Sequence, residues 1–572
     1  MLNVLLLVSM FGVLNTAAQQ PSGSAVDQIL EEAKQKAIWD AEHVTFEIEW
    51  RFGKPFLEAL KARDEKAAAK WFHENFRGAT ISNTSEVQTR RKGEVVEISR
   101  GADSKSAADA SVADVMAALL TQIKPVAEIE RAGLRVLYIN NEGGQKWSTS
   151  ILLSASGKSS DGGLIAVDSK HQVVFEIGDD AEFVTGPCIA AWKVISERQL
   201  KSPTQLMEEI TSTSGLTLAP VVDNWKLPKG KVRRQFPSQF AVEDFDRDGF
   251  LDIAMATIDG PSALFRSVNG KQFKVANLPF KVKTMSTRKM RSLATWIDFN
   301  NDGFPDLLLG DRVYRNDGGK SFADITAESG LKFPQRQMGA AVGDYDGDGL
   351  LDLYILYQYS SETSPGDPGI LPWVGDAISG APNALWRNLG DGRFEDVTEK
   401  SGAGGGLHNS FAAVWLYADD DRYPDLYVAN DFGKNNLLRN RGDGTFEDIS
   451  AKSGVADFAT SMGVAAGDID NDGRTELYVA NMYSKMGRRI IAHVGEADYA
   501  AGIYEQIKGA CAGNRLYKRD AKGGYSEWSE PWGINDIGWA YAPAMADLDN
   551  DGLLDLYATT GFMSFERHKP DG

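Results

Sequence analysis

Six copies of one short acidic loop in the second half of the sequence limit the possible folds more than any other feature. The pattern is Asp-x-Asp-x-Asp-Gly-x-x-Asp, and a short apolar run follows it directly. A unit that recurs along a chain indicates a repeat architecture, in which neighbouring units stack to bury their apolar faces. The copies, called loops 1 to 6 from here on, begin at Asp244, Asp298, Asp344, Tyr417, Asp468 and Asp547.

The residues around each loop are typical of short β-strands. Runs such as Leu353–Leu356 and Leu426–Ala429 are short, apolar and partly aromatic or β-branched, which favours buried strands. In most copies a second short strand follows, and then a Gly/Asp turn and a third strand, as at Phe394–Thr398. Several strands per repeat are typical of a propeller blade. We therefore predict a mainly β protein in which residues 241–572 form a six- or seven-bladed β-propeller.

The loops also carry the oxygen atoms that a hard cation requires. Carboxylates occupy positions 1, 3, 5 and 9, a glycine at position 6 permits a sharp turn, and position 7 can offer its carbonyl. Ca²⁺ takes 6–8 oxygen ligands and tolerates irregular geometry better than Mg²⁺ does, whereas carboxylates this close repel one another without a cation. The sequence therefore predicts calcium as the cofactor. The candidate metal ligands are Asp244, Asp246, Asp248, Phe250 and Asp252; Asp298, Asn300, Asp302, Phe304 and Asp306; Asp344, Asp346, Asp348, Leu350 and Asp352; Asp419, Asp421 and Asp425; Asp468, Asp470, Asp472, Arg474 and Glu476; and Asp547, Asp549, Asp551, Leu553 and Asp555.

The six copies differ in quality. Loops 1, 3 and 6 have four Asp and the correct glycine, so we expect them to bind calcium best. Loop 4 has Tyr417 at position 1 and Arg422 where the glycine belongs. It should bind worst or stay empty.

The EF-hand is the alternative with the same opening motif. It needs a Glu at position 12 and flanking helices. Position 12 is apolar in every copy and lies within a strand-like run, which excludes the EF-hand; these residues are Met255, Leu309, Ile355, Val428, Val479 and Ala558.

Together these loops resemble the FG-GAP/VCBS repeats of integrin α-type β-propellers. A finer similarity, to the cartilage acidic protein (ASPIC/UnbV) group and its bacterial relatives, rests on Phe394–Gly402, Phe446–Gly454 and Asn481–Arg489. It covers roughly residues 205–566 and implies a secreted calcium-binding propeller with an adhesion or interaction role. That group usually has a C-terminal ASPIC/UnbV domain, whereas this sequence stops at Gly572. Unless the chain is truncated, a strand from earlier in the sequence must close the last blade. Met207–Gly215 repeats the third-strand motif without its loop and could supply that strand.

Residues 24–200 lack the repeat and read as an α+β domain. Pro55–Phe76 is predicted to form one or two helices, whereas Val44–Phe52 alternates like a strand in a helical context and is left open. Strand-like runs follow from Arg135 to Ile195. The pattern is similar to a SnoaL-like cone fold, and residues 201–240, which contain four prolines, are expected to be a linker with a possible closing strand.

The N-terminus has the features of an export signal. Val4–Leu14 is an apolar run too short to span a bilayer, and Thr16-Ala17-Ala18 offers small residues for cleavage. We predict a signal peptide over residues 1–18 and a secreted, periplasmic or cell-surface location; a buried N-terminal helix is the alternative. No other apolar run is long enough for a membrane span.

Charge and cysteine content exclude several classes of function. The net charge is −19, which argues against nucleic acid or an anionic membrane as the main partner. Two cysteines, Cys188 and Cys511, exclude a disulfide framework and a cysteine-based zinc module. We expect buried thiols, although one long-range bridge remains open.

No catalytic motif is found in the sequence. We therefore expect a calcium-binding interaction module, not an enzyme, whose partner is an extracellular protein or glycan. The insertions Tyr357–Pro382 and Tyr483–Gly513 are candidates for binding, because long loops on a rigid scaffold often carry it. One alternative is an enzyme that cleaves polysaccharide in a central funnel. Another is a cone domain that binds a small ligand and is displayed by the propeller.

Overall fold

The computed structural model describes residues 30–81, 85–101, 107–177, 186–216, 236–258, 262–276, 293–334, 336–358, 380–499 and 501–561. They form two compact units. Among these residues, the first unit comprises those up to Glu208 together with Lys485–Asp498, and the second comprises Glu209–Ser484 and those from Tyr499 onward. Most regular structure is strand, which confirms the prediction of a mainly β protein. The predicted signal peptide and most of the insertion after Tyr357 lie outside the described residues.

The helices are short and concentrate in the first unit. A π-helix, Ile48–Gly53, connects the first two of them. No helix among the described residues is both long enough and apolar enough to cross a membrane. The α-helices are α1 (Glu32–Glu47), α2 (Lys54–Lys61), α3 (Glu65–Ala69), α4 (Val112–Ile123), α5 (Thr398–Ser401), α6 (Ser450–Ser453), α7 (Lys485–Ile491), α8 (Ile503–Cys511) and α9 (Ser529–Trp532).

The first unit packs its helices against one eight-stranded sheet. The central order is β2-β3-β8-β7-β6-β5, all antiparallel, and β1 pairs in parallel with β8. Burial alternates along β6 and β7, as expected for a sheet with one face on a core. The strands are β1 (Phe72–Thr80), β2 (Val87–Lys92), β3 (Val95–Gly101), β4 (Ala107–Ala110), β5 (Val126–Gly143), β6 (Lys146–Ser159), β7 (Leu164–Glu176) and β8 (Ile189–Ser202).

The structure resolves two local questions left by the sequence. Val44–Phe52 is helical, because Val44, Ile48 and Phe52 recur at helical spacing and are all buried in one core. Pro55–Phe76 is helical only in its first part, and β1 begins at Phe72. The prediction of helix at Phe72–Phe76 was therefore wrong; there Phe72 packs in the core of the sheet, next to Trp192.

A fully buried histidine lies in the core of this sheet. His171 Nδ1 accepts a hydrogen bond from Trp192 Nε1 at 3.0 Å, so Nε2 carries the proton and donates to Ser169 Oγ at 2.6 Å. Burial lowers the pKa of His171 from 6.5 to about 3. The imidazole is thus held neutral, with both nitrogens engaged.

His171 should make the first unit sensitive to acid. Because its folded-state pKa lies below the ordinary value, its contribution to stability is complete above pH 6.5 and is lost as the pH falls toward 3. In thermal melts between pH 7 and pH 4, the melting temperature of the wild type should fall more steeply than that of His171→Gln, which offers an acceptor to Trp192 but does not titrate. Equal slopes for the two proteins would contradict this role.

One segment from the second half of the sequence belongs to the first unit. Residues Lys485–Asp498 contain α7, whose Arg489 pairs with Glu42 at 2.7 Å and donates to the Val136 carbonyl at 2.8 Å. His493 stacks on Tyr138 with ring centroids 6.3 Å apart. Part of the insertion Tyr483–Gly513 therefore contributes to the packing of the first unit.

Among its described residues, the second unit contains six antiparallel repeat units, called sheets 1 to 6 in chain order, of which the fourth and fifth belong to one eight-stranded sheet. Sheets 4 and 5 are also joined to each other by pairing of β22 with β25. Sheets 1 to 3 contain β9 (Phe236–Glu243), β10 (Asp252–Ile258), β11 (Ala263–Ser267) and β12 (Phe273–Val275); β13 (Ala294–Ile297), β14 (Asp306–Leu309), β15 (Arg312–Asn316) and β16 (Phe322–Asp324); and β17 (Arg336–Gly343), β18 (Asp352–Gln358), β19 (Ala384–Asn388) and β20 (Phe394–Asp396). Sheets 4 to 6 contain β21 (Asn409–Leu416), β22 (Asp425–Lys434), β23 (Asn436–Asn440) and β24 (Phe446–Asp448); β25 (Phe458–Gly467), β26 (Glu476–Asn481), β27 (Arg515–Arg519) and β28 (Tyr525–Glu527); and β29 (Ala540–Ala546) and β30 (Asp555–Thr560).

The hydrophobic cores of the second unit lie between successive sheets. Phe299 and Leu308 of sheet 2 pack with Ile355 and Trp386 of sheet 3, and separate clusters of the same kind join the other neighbouring sheets. Stacked four-stranded sheets that share a core with each neighbour are a propeller-like arrangement. Loops 1 to 6 each connect the first and second strand of their sheet, so they lie at the same end of it.

The motif Met207–Gly215 forms a turn at Thr211–Gly215 and not a strand. The Ser214 carbonyl accepts a hydrogen bond from Phe273 N of sheet 1 at 2.7 Å. The corresponding Ser329, which follows sheet 2, accepts from Phe394 N of sheet 3 at 2.8 Å. Met207–Gly215 thus makes with sheet 1 the same backbone hydrogen bond that the segment following sheet 2 makes with sheet 3.

Both cysteines are buried and free, as expected. Cys188 lies in the first unit and Cys511 ends α8 in the second.

Candidate metal centres

The acidic loops are closed by their own carboxylates. In loop 3, Asp344 accepts hydrogen bonds from Asp348 N at 3.1 Å and Gly349 N at 2.9 Å, and Asp348 accepts from Leu350 N at 2.9 Å. Loops 1, 2, 5 and 6 repeat these bonds at the same positions. Positions 1 and 5 are therefore held in place by backbone N–H groups, and the residue whose carbonyl is predicted as a ligand, position 7, is fixed by its own N–H.

Position 4 gives the loops their tight turn and connects them to one another. Its backbone is left-handed in loops 1, 2, 3, 5 and 6, for example at Asn301 with φ +55°, a conformation that Asn and Gly tolerate best. Asn301 Nδ2 donates to the Gly349 carbonyl of loop 3 at 2.8 Å, and Asn471 Nδ2 makes the same bond to Gly552 of loop 6 at 3.0 Å. Loops 2 and 3, and likewise loops 5 and 6, are thus direct neighbours.

The carboxyl groups at position 9 are buried at the base of loops 1 to 5. Asp352 is fully buried, and its two oxygens accept hydrogen bonds from Tyr345 N at 3.1 Å and Asn388 N at 2.8 Å. Burial raises the pKa of Asp352 from 3.8 to about 7, and the same cause raises the pKa of Asp252, Asp306, Asp425 and Glu476. These residues connect the loop to the second and third strands of its sheet.

Four loops bring three carboxyl groups together closely enough to hold a metal ion. In each group the candidate oxygens lie within 4.8 Å of one another. Moreover, one oxygen of Asp246, Asp346 and Glu476 is buried without any hydrogen-bond partner. A buried carboxylate oxygen without a partner is costly, and a bound cation would satisfy it. The groups are Asp244, Asp246 and Asp248; Asp344, Asp346 and Asp348; Asp468, Asp470 and Glu476; and Asp547, Asp549 and Asp551.

Loop 2 differs only at position 3. Asn300 Nδ2 donates to Asp302 at 3.0 Å, and Asn300 Oδ1 accepts from Asp302 N at 3.2 Å. Asp298 keeps the two backbone bonds of position 1. The loop therefore has the same closure, with an amide oxygen in place of one carboxylate.

Loop 4 has a different set of contacts. Asp419 accepts from Asp421 N at 3.0 Å, and Asp421 accepts from Tyr423 N at 2.8 Å. Tyr417 at position 1 cannot close the loop through a carboxylate. Asp425 retains the buried position-9 bonds to Ala418 N and Asn440 N, both at 2.8 Å. The base of the loop is thus preserved, whereas the cluster of carboxylates is lost.

The sequence analysis missed a basic residue from the adjacent strand that reaches three of the loops. Arg387 Nε lies 2.8 Å from Asp346 of loop 3, Arg266 pairs with Asp246 of loop 1, and Lys518 pairs with Asp470 of loop 5. These pairs partly neutralise the acidic clusters. The signal was available, because a basic residue recurs at the same place in the third strand of sheets 1 to 5; the two not yet named are Arg315 and Arg439, which pair with Asp317 and Glu447 instead.

Removing one carboxylate should affect loops 3 and 4 differently. Asp346→Ala removes the oxygen that lacks a partner and should lower the calcium stoichiometry by one ion per chain. Asp419→Ala should leave the stoichiometry unchanged, because loop 4 lacks the carboxylate at position 1. Calcium titration by calorimetry measures both variants; an equal loss in the two would show that loop 4 is an ordinary site.

Comparison with known families supports the reading of the repeats. The family model for the FG-GAP-like repeat matches residues 244–309, 298–355, 418–479 and 495–558. The chain thus contains FG-GAP-like repeats, and each matched segment includes at least one of the acidic loops.

Curated relatives agree with the finer resemblance. Human cartilage acidic protein 1 is 24% identical over 269 residues, which cover 42% of this chain and 38% of the relative. The protein of that name from Xenopus tropicalis is 40% identical over 172 residues, which cover 24% of this chain and 26% of the relative. The similarity to the cartilage acidic protein group is confirmed for this part of the chain, which spans well under half the length of those relatives.

Among solved structures, a ketosteroid isomerase-like protein from Erwinia carotovora covers 25% of this chain at 11% identity, with a TM-score of 0.15. An intramolecular trans-sialidase from Ruminococcus gnavus covers 77% at 8% identity, with a TM-score of 0.25. These scores are too low to support an argument about fold or function. The SnoaL-like cone and the number of blades therefore stay predictions.

Proposed function

We propose that this chain is an exported calcium-binding β-propeller that acts as an interaction module for an extracellular protein or glycan. The observation that carries the proposal is the convergence of three carboxylates in loop 3, where one oxygen of Asp346 is buried without a partner. Carboxylate and carbonyl oxygens in an irregular loop suit calcium better than other divalent ions. FG-GAP-like repeats at four places in the chain are consistent with this function.

Calcium would act through the charge of the loops. The loops are neighbours in the second unit, and together they concentrate much of the acidic charge of a chain whose net charge is −19. Bound Ca²⁺ would supply two positive charges at each occupied loop and cancel the repulsion among its carboxylates. The surface formed by the loops would then be ordered and would carry less negative charge. Such a surface could contact a partner without strong charge repulsion. The proposal assigns no catalytic residue.

Export agrees with this chemistry. Calcium loops of extracellular modules have dissociation constants on the order of 10⁻⁴–10⁻³ M, which are matched to calcium outside the cell. The apolar run Val4–Leu14 is the candidate export signal. Export directed by this segment would place the mature protein in that environment. We further propose that Met207–Gly215, through Ser214, joins the last blade to sheet 1.

Affinity capture from native extracellular material tests the binding role. Immobilised full-length protein should retain a partner in calcium and release it in EDTA. The variant Asp344→Asn/Asp346→Asn/Asp348→Asn should lose calcium-dependent retention, whereas the matched change Asp419→Asn/Asp421→Asn in loop 4 should keep it. Retention that is identical in calcium and EDTA would contradict a calcium-dependent module.

A further inference from the structure

A cavity of about 680 Å³ lies in the second unit, where loops 3, 4 and 5 meet. One wall contains Asp344 and Asp346 of loop 3, and another contains Tyr417, Arg422 and Tyr423 of loop 4. Small-molecule sites commonly have volumes of about 300–1,000 Å³. A cavity of ligand size therefore opens at the loop that is least suited to a metal ion.

Loop 4 presents an unneutralised cation to this cavity. The guanidinium carbon of Arg422 lies 4.9 Å from the centre of the Tyr423 ring, and its Nη2 donates to the Tyr423 hydroxyl at 2.8 Å. Within the part of the chain that the structure describes, no carboxylate lies within salt-bridge distance of Arg422. The side chain is thus held in place by an aromatic neighbour while its charge remains available.

This arrangement differs from that of the arginines on the third strand of sheets 1 and 3. Arg387 is already paired with Asp346 and Asp348, at 2.8 and 3.2 Å, and Arg266 is paired in the same way in loop 1. The exchange of the position-6 glycine for Arg422 has therefore placed a new positive charge where the repeat normally has none.

An aromatic surface accompanies the free cation. Tyr417, which replaces the position-1 carboxylate, is 51% exposed and lines the cavity with Trp415. An exposed aromatic ring has a negative face that attracts the polarised C–H groups on one face of a sugar ring. Much of the remaining wall consists of small residues, among them Gly343, Gly467 and Thr475, which leave room for hydroxyl groups.

We propose that this cavity binds an acidic oligosaccharide that carries hexuronic acid units. Arg422 pairs with the sugar carboxylate, for which a guanidinium is the best-matched protein group, and Tyr417 stacks on the sugar ring. The proposal rests on calcium in loop 3, because Asp344 and Asp346 would otherwise repel an anion from the opposite wall. An acidic peptide would also pair with Arg422, but it would make no particular use of the exposed ring of Tyr417.

Titration calorimetry with the full-length protein and galacturonic acid trisaccharide tests this assignment. In calcium the trisaccharide should bind at least tenfold more tightly than its neutral counterpart, galactose trisaccharide, and more tightly than hexaglutamate. Arg422→Gln and Tyr417→Ala should each weaken binding about tenfold or more. Arg441→Gln removes an exposed arginine of the same sheet that does not line the cavity, and it should leave binding unchanged.

Three outcomes would overturn the proposal: equal binding of the neutral trisaccharide, tighter binding of hexaglutamate, or unchanged affinity in Arg422→Gln. The calcium content of each protein, measured in the same samples, separates this proposal from the broader one. Bound calcium without uronate binding refutes the acidic-glycan site alone, whereas a chain without bound calcium refutes the calcium-binding module as well.

Discussion

Removal of calcium with EDTA should lower the melting temperature of the second unit by on the order of 10 °C. On the proposed function the folded loops bind the ion and the unfolded chain does not, so at free calcium about ten times the dissociation constant each site would stabilise the fold by about 1.4 kcal/mol. Five sites, in all loops except loop 4, would contribute about 7 kcal/mol, which is comparable with the whole stability of a typical domain of ~5–15 kcal/mol. Differential scanning calorimetry of the full chain in calcium and in EDTA measures the shift.

The effect should be confined to the second unit, because none of the carboxylate groups that could hold a metal ion among the described residues lies in the first. Hydrogen exchange on the full chain localises it: EDTA should increase exchange in strands such as β18 and β26 and leave β6 and β7 unchanged. A melting temperature that does not respond to EDTA would mean that the loops are solvated acidic turns.

Replacing Asp352 with alanine should destabilise the second unit whether or not calcium is present. Both oxygens of Asp352 accept buried backbone hydrogen bonds, from Tyr345 N and Asn388 N. The variant leaves two N–H groups without partners at the base of loop 3, at a cost of about 1–3 kcal/mol each. We expect a loss of about 3–5 kcal/mol in the free energy of unfolding, measured by denaturant titration in EDTA and again in calcium.

Asp348→Ala is the matched control in the same loop. Asp348 is more exposed, and its partners Leu350 N and Arg387 lie at the surface of the loop. Its removal also relieves repulsion among the carboxylates, so we expect little change in EDTA and a clear loss in calcium. If Asp352→Ala were no more destabilising than Asp348→Ala in EDTA, the position-9 carboxylate would not support the base of the loop as described.

The repeat could be predicted from the sequence because its signals are local. Asp344, Gly349 and Asp352 lie within one loop, and the strand that follows is apolar over consecutive residues. The distinct character of loop 4 was also visible in Tyr417 and Arg422. The loop motif, the strand after it and the two substitutions in loop 4 can all be recognised from the spacing of residues along the chain, without knowledge of tertiary contacts.

Features that depend on tertiary contact were not accessible in this way. Arg387 reaches Asp346 only because two strands pair in register. Similarly, Arg489 is far from Glu42 in sequence and joins it only in the folded first unit. Asp352 was predicted only as a metal ligand, and its hydrogen bond from Asn388 N could not be predicted for the same reason. Asn388 lies beyond the insertion that follows β18. Such contacts require the positions of separate elements, which spacing alone does not supply.

The most direct test of calcium binding is a count of bound ions by equilibrium dialysis of the full-length protein against millimolar calcium. We predict one ion for each loop except loop 4, displaced by EDTA and not replaced by magnesium at equal concentration. A protein that retains no calcium above the dialysis buffer would contradict the assignment of the loops as metal sites and, with it, the proposed function.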